Sequence, residues 1–252
     1  MRINHLLFLL ILFFSLQTQA QNDPISGDRP GMTTTGITLP RNHLQIETGF
    51  MFEDDFDYYS MPLFSTMLRY GLFNRFEVRL AFEPIFIAHT DTLKTKEFGL
   101  NYFKAGFKWK LLDEKGIIPS IFVLSNISLP YIKTLNDTTY APSPDIRLAF
   151  AHTITDNIGL GYNFAASWDA EFHTSLLYTL AGFLKVNDNV DFFMEFYGNI
   201  TDKMTAFDCG FAWRPKNDWQ LDISAGKGIS AYSYDFFVAA GLSYRLAKRK
   251  SS

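Results

Sequence analysis

Residues 68–83 read LRYGLFNRFEVRLAFE. In the second half Phe76, Val78, Leu80 and Phe82 alternate with Glu77, Arg79, Ala81 and Glu83. A period of two is the mark of a β-strand, whose successive side chains point to opposite faces. One face is therefore apolar and the other largely charged. The link FNR at 73–75 is short and polar, so the run before it must turn back beside this one. The stretch predicts an antiparallel hairpin whose two faces call for different solvents.

The pattern recurs along the chain. Twelve candidate strands lie near 42–53, 62–72, 76–88, 98–112, 117–129, 145–154, 158–169, 172–186, 190–199, 206–214, 219–228 and 235–246. In 98–112, Phe103, Ala105, Phe107, Trp109 and Leu111 alternate with Lys104, Gly106, Lys108 and Lys110. In 235–246, Phe236, Val238, Ala240, Leu242 and Tyr244 alternate with Phe237, Ala239, Gly241, Ser243 and Arg245. Many of these segments have about the ten residues that a tilted membrane strand needs.

A soluble β-sandwich also alternates. Two features favour a membrane barrel instead. The second face mixes Gly, Ala and Ser with charge, as a barrel lumen does. The aromatics Trp168, Trp213, Trp219 and Tyr244 sit near segment ends, where membrane interfaces fall. The connections point the same way. FNR at 73–75, DEKG at 113–116, TDN at 155–157, VNDN at 186–189 and PKND at 215–218 are tight, whereas 54–61, 89–97, 130–144, 200–205 and 229–234 read as longer loops. Short turns at one rim and loops at the other, with an even strand count, characterise outer-membrane barrels with both termini periplasmic. The expected fold is all-β: a closed antiparallel transmembrane β-barrel of about twelve strands over 42–246.

The first residues agree with export. Arg2 and His5 precede the apolar run LLFLLILFFSL at 6–16, which is too short to span a bilayer and is closed by Ala20. Residues 1–20 read as a secretory signal peptide with a bacterial outer-membrane destination. The formal charge of −3 gives no basic footprint for a nucleic-acid partner. The single Cys, Cys209, excludes an intrachain disulfide and reads as a packing residue. Residues 21–41 form an irregular polar segment rich in Thr, Gly and Pro, and 247–252 a basic tail.

That irregular segment carries a resemblance. DRPGMTTTGITLPRNHLQIETGF at 28–50 is similar to the opening of a family of bacterial outer-membrane β-barrels labelled for the MetA pathway of phenol degradation, and often simply as transporters. Asp28, Arg29, Pro30, Thr33, Pro40, Leu44, Gln45, Glu47, Gly49 and Phe50 carry the match. LRYGLFNRFEVR at 68–79, AGFKWKLLDEKG at 105–116, SLPY at 128–131 and FFVAAGLSYRL at 236–246 continue it in order. The resemblance implies a barrel and a passage for small molecules, hydrophobic or aromatic ones among them. It does not imply that the barrel performs the degradation chemistry.

Enzyme readings have thin support. His173-Thr174-Ser175 resembles the His-x-Ser pair of an outer-membrane phospholipase, but both residues fall in the luminal register with no third group to orient the base. His43, His89 and His152 lack metal-ligand spacing, and AGKGIS at 225–230 is not a phosphate loop. No catalytic, cofactor or metal site is expected.

The luminal charges are the candidate site. Glu47, Arg69, Glu77, Arg79, Glu83, Lys104, Lys108, Arg147, Asp191, Glu195, Asp208, Asp222 and Arg245 fall on the lumen face, and Arg29 joins them if residues 21–41 fold up into the barrel. There Thr33, Thr34 and Thr35 would bond to luminal side chains, and Arg29 would pair with Glu47 or Glu77. Opposite charges on adjacent strands can brace the barrel; they can also line a polar conduit. Glu77→Ala and Lys108→Ala are expected to assemble normally. The function read from the sequence is passive passage of a small solute, with outer-membrane lipids and the barrel assembly machinery as partners. A structural or surface-interaction barrel is the alternative, with MFEDDFDYYS at 51–60 as its contact loop.

Overall fold

The computed structural model describes residues 24–34, 36–55, 58–90, 96–128, 142–169 and 171–246. The signal-peptide reading of 1–20, the tail at 247–252 and most of the 130–144 link lie outside them. Among the described residues no helix is long and apolar enough to cross a membrane. The chain is built from strands: β1 Leu44–Asp55, β2 Tyr58–Pro62, β3 Ser65–Phe73, β4 Phe76–His89, β5 Lys96–Leu112, β6 Ser120–Ser128, β7 Ser143–Thr155, β8 Ile158–Trp168, β9 Thr174–Asn187, β10 Val190–Asn199, β11 Met204–Lys216, β12 Trp219–Gly228 and β13 Phe236–Leu246.

Apart from β2 and β3, each strand pairs antiparallel with its sequence neighbour, and β13 returns to β1 from Leu44↔Leu246 to Asp54↔Phe236. The sheet is thereby closed and has no free edge, which is what hydrocarbon demands of a strand structure. Thirteen strands make twelve staves. β2 and β3 are two pieces of one stave, since both pair with β1 and β4. Pro62 supplies no N–H and Phe64 takes a left-handed φ of 54°, so the ladder is interrupted between them. The hairpin at 68–83 forms as its sequence implies, with Leu68↔Leu80 and Arg69↔Arg79 opposed.

One loop expectation fails. The described residues of 54–61 are strand, not loop: β1 runs to Asp55, which pairs with Tyr58 at the start of β2. At that height the strands stand beyond the apolar belt, so acids and hydroxyls are tolerated on both faces and the period-two signal is lost.

The barrel is apolar outside and charged inside. Leu80, Phe164 and Ile223 are 46%, 57% and 59% exposed on the outer face. Glu47, Arg69, Glu77, Lys108, Glu195 and Asp208 are all at most 1% exposed within. An apolar belt this continuous identifies a surface made for lipid. Aromatics gather at the short-turn rim, where Trp219 and Tyr244 stand 4.6 Å apart between centroids and Phe76 stacks on Phe107 at 5.5 Å. At the same rim Glu114 accepts the Thr153 backbone N–H at 2.7 Å and its hydroxyl at 2.9 Å. Those bonds hold its carboxyl below the usual range and tie the turn after β5 to the end of β7.

The lumen is not wholly polar. Phe122, Leu124, Phe193 and Phe237 also point inward and are 5% exposed or less. Sidedness has a direct test. Leu80→Arg is expected to cost about 2–4 kcal/mol of folded barrel, as a cation in the lipid belt does. Lys104→Gln, on the inner face, should leave the heat-induced gel-mobility transition in place. Equal shifts for the two would mean that the register is wrong.

Candidate functional site

The described residues of 24–41 lie inside the barrel. The backbone enters at the short-turn rim, where Ile25 N–H donates to the Asn217 carbonyl at 2.7 Å. It leaves there too, where Asn42 N–H donates to the Gly71 carbonyl at 2.7 Å. Gly27, Pro30, Gly31, Gly36 and Pro40 keep it from forming a helix or strand. Its amides and carbonyls must then be satisfied by luminal side chains, and this explains why so many of those are charged.

On one wall the contacts centre on Arg69, which is buried completely. Its Nε and Nη2 donate to Glu77 at 2.8 and 3.0 Å, and Nη1 donates to Glu47 at 2.7 Å. Glu77 also accepts Arg79 Nε at 2.8 Å and the Leu39 N–H at 2.7 Å. Glu47 accepts the Asp28 N–H at 3.0 Å and Gln45 Nε2 at 2.8 Å. Asp28 carries the network onward, to Arg79 at 2.5 Å and Lys108 at 3.3 Å. Both ends of the segment are thus clamped to β1, β3, β4 and β5.

The middle of the segment crosses to β7, β9 and β10. Met32 and Thr33 present consecutive N–H groups to the Glu195 carboxylate, the second at 2.7 Å. Successive amides of this kind form a nest for an anion. Arg147 Nη1 donates to the Met32 carbonyl at 3.0 Å and the Thr34 hydroxyl at 3.2 Å, and Thr33 bonds Thr179 at 2.8 Å. Ile25, Thr33 and Leu39 end up 2% exposed or less.

Arg29 departs from expectation. Its partner is neither Glu47 nor Glu77 but Asp222 on β12, at 3.2 Å. Glu47 and Glu77 are already engaged by Arg69, so the guanidinium continues round the wall. It lies over Gly49 and Gly241, which face each other across β1 and β13. A Cβ at either glycine would overlap the guanidinium. These glycines make the floor for Arg29, and no signal in the sequence marks them for it.

Glu83 accepts Asn101 at 2.6 Å and Tyr102 at 3.2 Å, with Ser65. Arg214 pairs with Asp191 at 2.5 Å, and Arg245 donates to the Asn217 carbonyl at 3.1 Å. Lys104 lies 4.8 Å from the centroid of the Tyr102 ring. The expectation that Glu77→Ala and Lys108→Ala assemble normally does not fit this geometry. Both side chains are fully buried and carry ion pairs, so each truncation strands a charge.

Asp208 is the exception among the luminal acids. It stands opposite Glu195 in the β10–β11 register and is 1% exposed, yet among the described residues no donor reaches either of its oxygens. Two carboxylates side by side repel, and a buried acceptor without a donor costs about 1–3 kcal/mol. Asp208→Asn removes a charge and offers N–H donors to Glu195. The variant is expected to raise the barrel's stability by about 1 kcal/mol or more, read as a higher unfolding midpoint in urea. A lower midpoint would mean that Asp208 is held by a favourable partner.

The phospholipase-like pair does not assemble. Ser175 lies in the luminal register opposite Ser167, but His173 sits in the exposed turn before β9 and bonds Asp169 at 2.9 Å. Above the segment the lumen opens into a cavity of about 490 Å³, lined by residues that include Met51, Met67, Glu83, Lys104, Arg147 and Phe237. A second space of about 570 Å³ lies at the short-turn rim, against Ile25, Thr155, Phe183 and Asn217.

Residues 27–246 match the family model described as "Putative MetA-pathway of phenol degradation". The chain belongs to that family. The match begins within the luminal segment and ends with the last strand, so the family pattern includes both the segment and the wall that holds it. No curated protein matches the chain in sequence. Among solved structures the NanC porin aligns with a TM-score of 0.52 at 9% identity, covering 81% of this chain and 100% of its own. The KdgM porin in complex with disordered oligogalacturonate gives the same score and identity, with 81% and 99% covered. The CymD monoaromatic hydrocarbon channel aligns at a TM-score of 0.46 and 9% identity, covering 85% and 90%. The two porins share the architecture of this family member: a closed antiparallel barrel of the outer-membrane type.

Proposed function

We propose that this family member is a passive outer-membrane channel for small molecules, with residues 24–41 acting as a plug in its lumen. The observation that carries the reading is the placement of the segment between two open spaces, about 490 Å³ on one side and about 570 Å³ on the other. Twelve staves enclose more room than side chains alone fill and less than a wide aqueous pore. A chain segment held by hydrogen bonds to the wall closes such a lumen, and its displacement opens it. The polar and charged lining suits passage of solutes and not storage of lipid. Its surroundings on this reading are outer-membrane lipids, and its insertion depends on the barrel assembly machinery.

The test is conductance in a planar bilayer, paired with liposome swelling in small solutes. A small, fluctuating ion current is expected from the full chain. A barrel that passes neither ions nor solutes, with and without the segment, would favour a structural role.

Orientation follows from the rims. The turns at 113–116 and 215–218, and both ends of the segment, share the periplasmic side, and the β12–β13 link faces the cell exterior. Tyr232 in that link is 71% exposed. In a Cys209→Ser background, a cysteine at Tyr232 should react with an impermeant maleimide on intact cells, and one at Glu114 should not. The opposite result reverses the barrel.

A further inference from the structure

The cavity above the plug is lined by both signs of charge, but they are not equally available. Asp28 is taken by Arg79 and Lys108, and Arg29 by Asp222. Glu83 is buried and accepts from Ser65, Asn101 and Tyr102. The Asp208 oxygens are closed to solvent. Two cations are left. Lys104 rests on the Tyr102 ring and forms no ion pair with a described residue. Arg147 reaches the segment through Nη1 alone, and it too forms no ion pair among the described residues.

Their order along the wall is fixed by register. Lys104 is level with Ser128 and Ser143, near the long-loop rim. Arg147 is level with Leu124 and Lys108, four residues deeper and against the plug. Between them stands Asn126, held by Asp145 at 2.8 Å, and Met51, Met67, Leu124, Phe237 and Ala239 add apolar surface to the lining. A space of about 490 Å³ falls within the range of small-ligand sites, which are mostly apolar with a few placed polar groups.

We infer that this cavity binds small organic carboxylates with an apolar body, which meet Lys104 first and seat against Arg147. The inference rests on the channel reading and names its solute class. A carboxylate bonds a guanidinium in a bidentate, charge-assisted manner, and this is stronger than the bond to the neutral Met32 carbonyl and Thr34 hydroxyl. Arrival of the solute therefore competes for the residue that holds the middle of the plug. Glu195, three staves round the wall on β10, has no such competitor, so the plug is loosened at one contact and stays tethered at the other. Amines and neutral analogues of the same size lack the group that Arg147 prefers.

Saturation-transfer NMR on the full chain in detergent micelles reads binding without requiring transport. The probes are benzoate, benzyl alcohol and benzylamine, which share a ring and differ in the head group. Benzoate is expected to saturate, and to weaken about tenfold in Arg147→Gln, the loss of one charge-assisted contact. Lys104→Gln, which touches no plug residue, should weaken it less and leaves a test if the first variant does not fold. Benzylamine should show no saturable signal. Benzoate binding unchanged in both variants, or equal binding of the amine, would overturn the inference. Bilayer conductance on the same preparations separates the two readings. A barrel that conducts ions without preferring benzoate loses the solute class alone, and one that binds benzoate without conducting loses the channel alone.

Discussion

Arg69→Leu is expected to destabilise the barrel by about 3–5 kcal/mol, the cost of breaking a buried ion pair from one side. The side chain is fully buried, and its guanidinium satisfies Glu47 and Glu77 through three bonds of 2.7–3.0 Å. Removing it leaves two carboxylates facing each other in a space closed to water. Arg79 still reaches Glu77 at 2.8 Å, so Glu47 takes the larger share of the loss. The urea midpoint of the purified barrel reads this directly. A second variant tests the cause. Replacing Arg69, Glu47 and Glu77 together by leucines removes the guanidinium with both of its carboxylates and leaves Arg79 on Asp28, and well-packed apolar replacements of buried ion pairs are often neutral or better. The triple variant should recover most of the barrel's stability. It should not recover the plug, because Glu47 and Glu77 also accept the Asp28 and Leu39 amides. If the single variant loses less than about 1 kcal/mol, the network is as weak as an exposed one, and water reaches it.

Much of this architecture was legible in the sequence, and the reasons differ by element. The faces of 76–83 and 98–112 could be read because each strand separates two solvents, lipid and a charged lumen, so apolar and charged residues fall on strict alternate positions. Segment 117–129 gave no register. Its inward Phe122 and Leu124 are as apolar as its outward side chains, since they pack in a closed part of the lumen where lysines pass over the ring at 5.3 and 5.6 Å. The β1–β2 hairpin was hidden for the opposite reason, with polar residues on both faces above the apolar belt. That the N-terminal segment is irregular was plain from its Gly, Pro and Thr content. Which carboxylate Arg29 meets was not, because that depends on who else has claimed Glu47 and Glu77. The glycine floor at Gly49 and Gly241 was silent too, as a small residue in a barrel strand has many ordinary explanations.

Deleting residues 24–38 should give a folded barrel with a larger single-channel conductance than the full chain. The argument begins with the backbone. The segment contributes no strand to the closed sheet, so every pairing from β1 to β13 survives its loss. What disappears is the partition between the two luminal spaces, together with the partners of Glu195, Arg147 and Asp222. Those side chains then face water, which can hydrate them, so the stability cost should be smaller than that of Arg69→Leu. Glu195→Gln separates removal of the plug from its loosening. The glutamine still accepts one amide but no longer offers a charge to the Met32–Thr33 nest, so the segment should detach part of the time. Its current trace is expected to alternate between the level of the full chain and that of the deletion. Arg29→Ala should act in the same direction through the other wall, by releasing Asp222 and leaving the Gly49–Gly241 floor bare. A deletion variant with the single-channel level of the full chain would mean that residues 24–38 do not limit passage, and the plug reading would have to be given up.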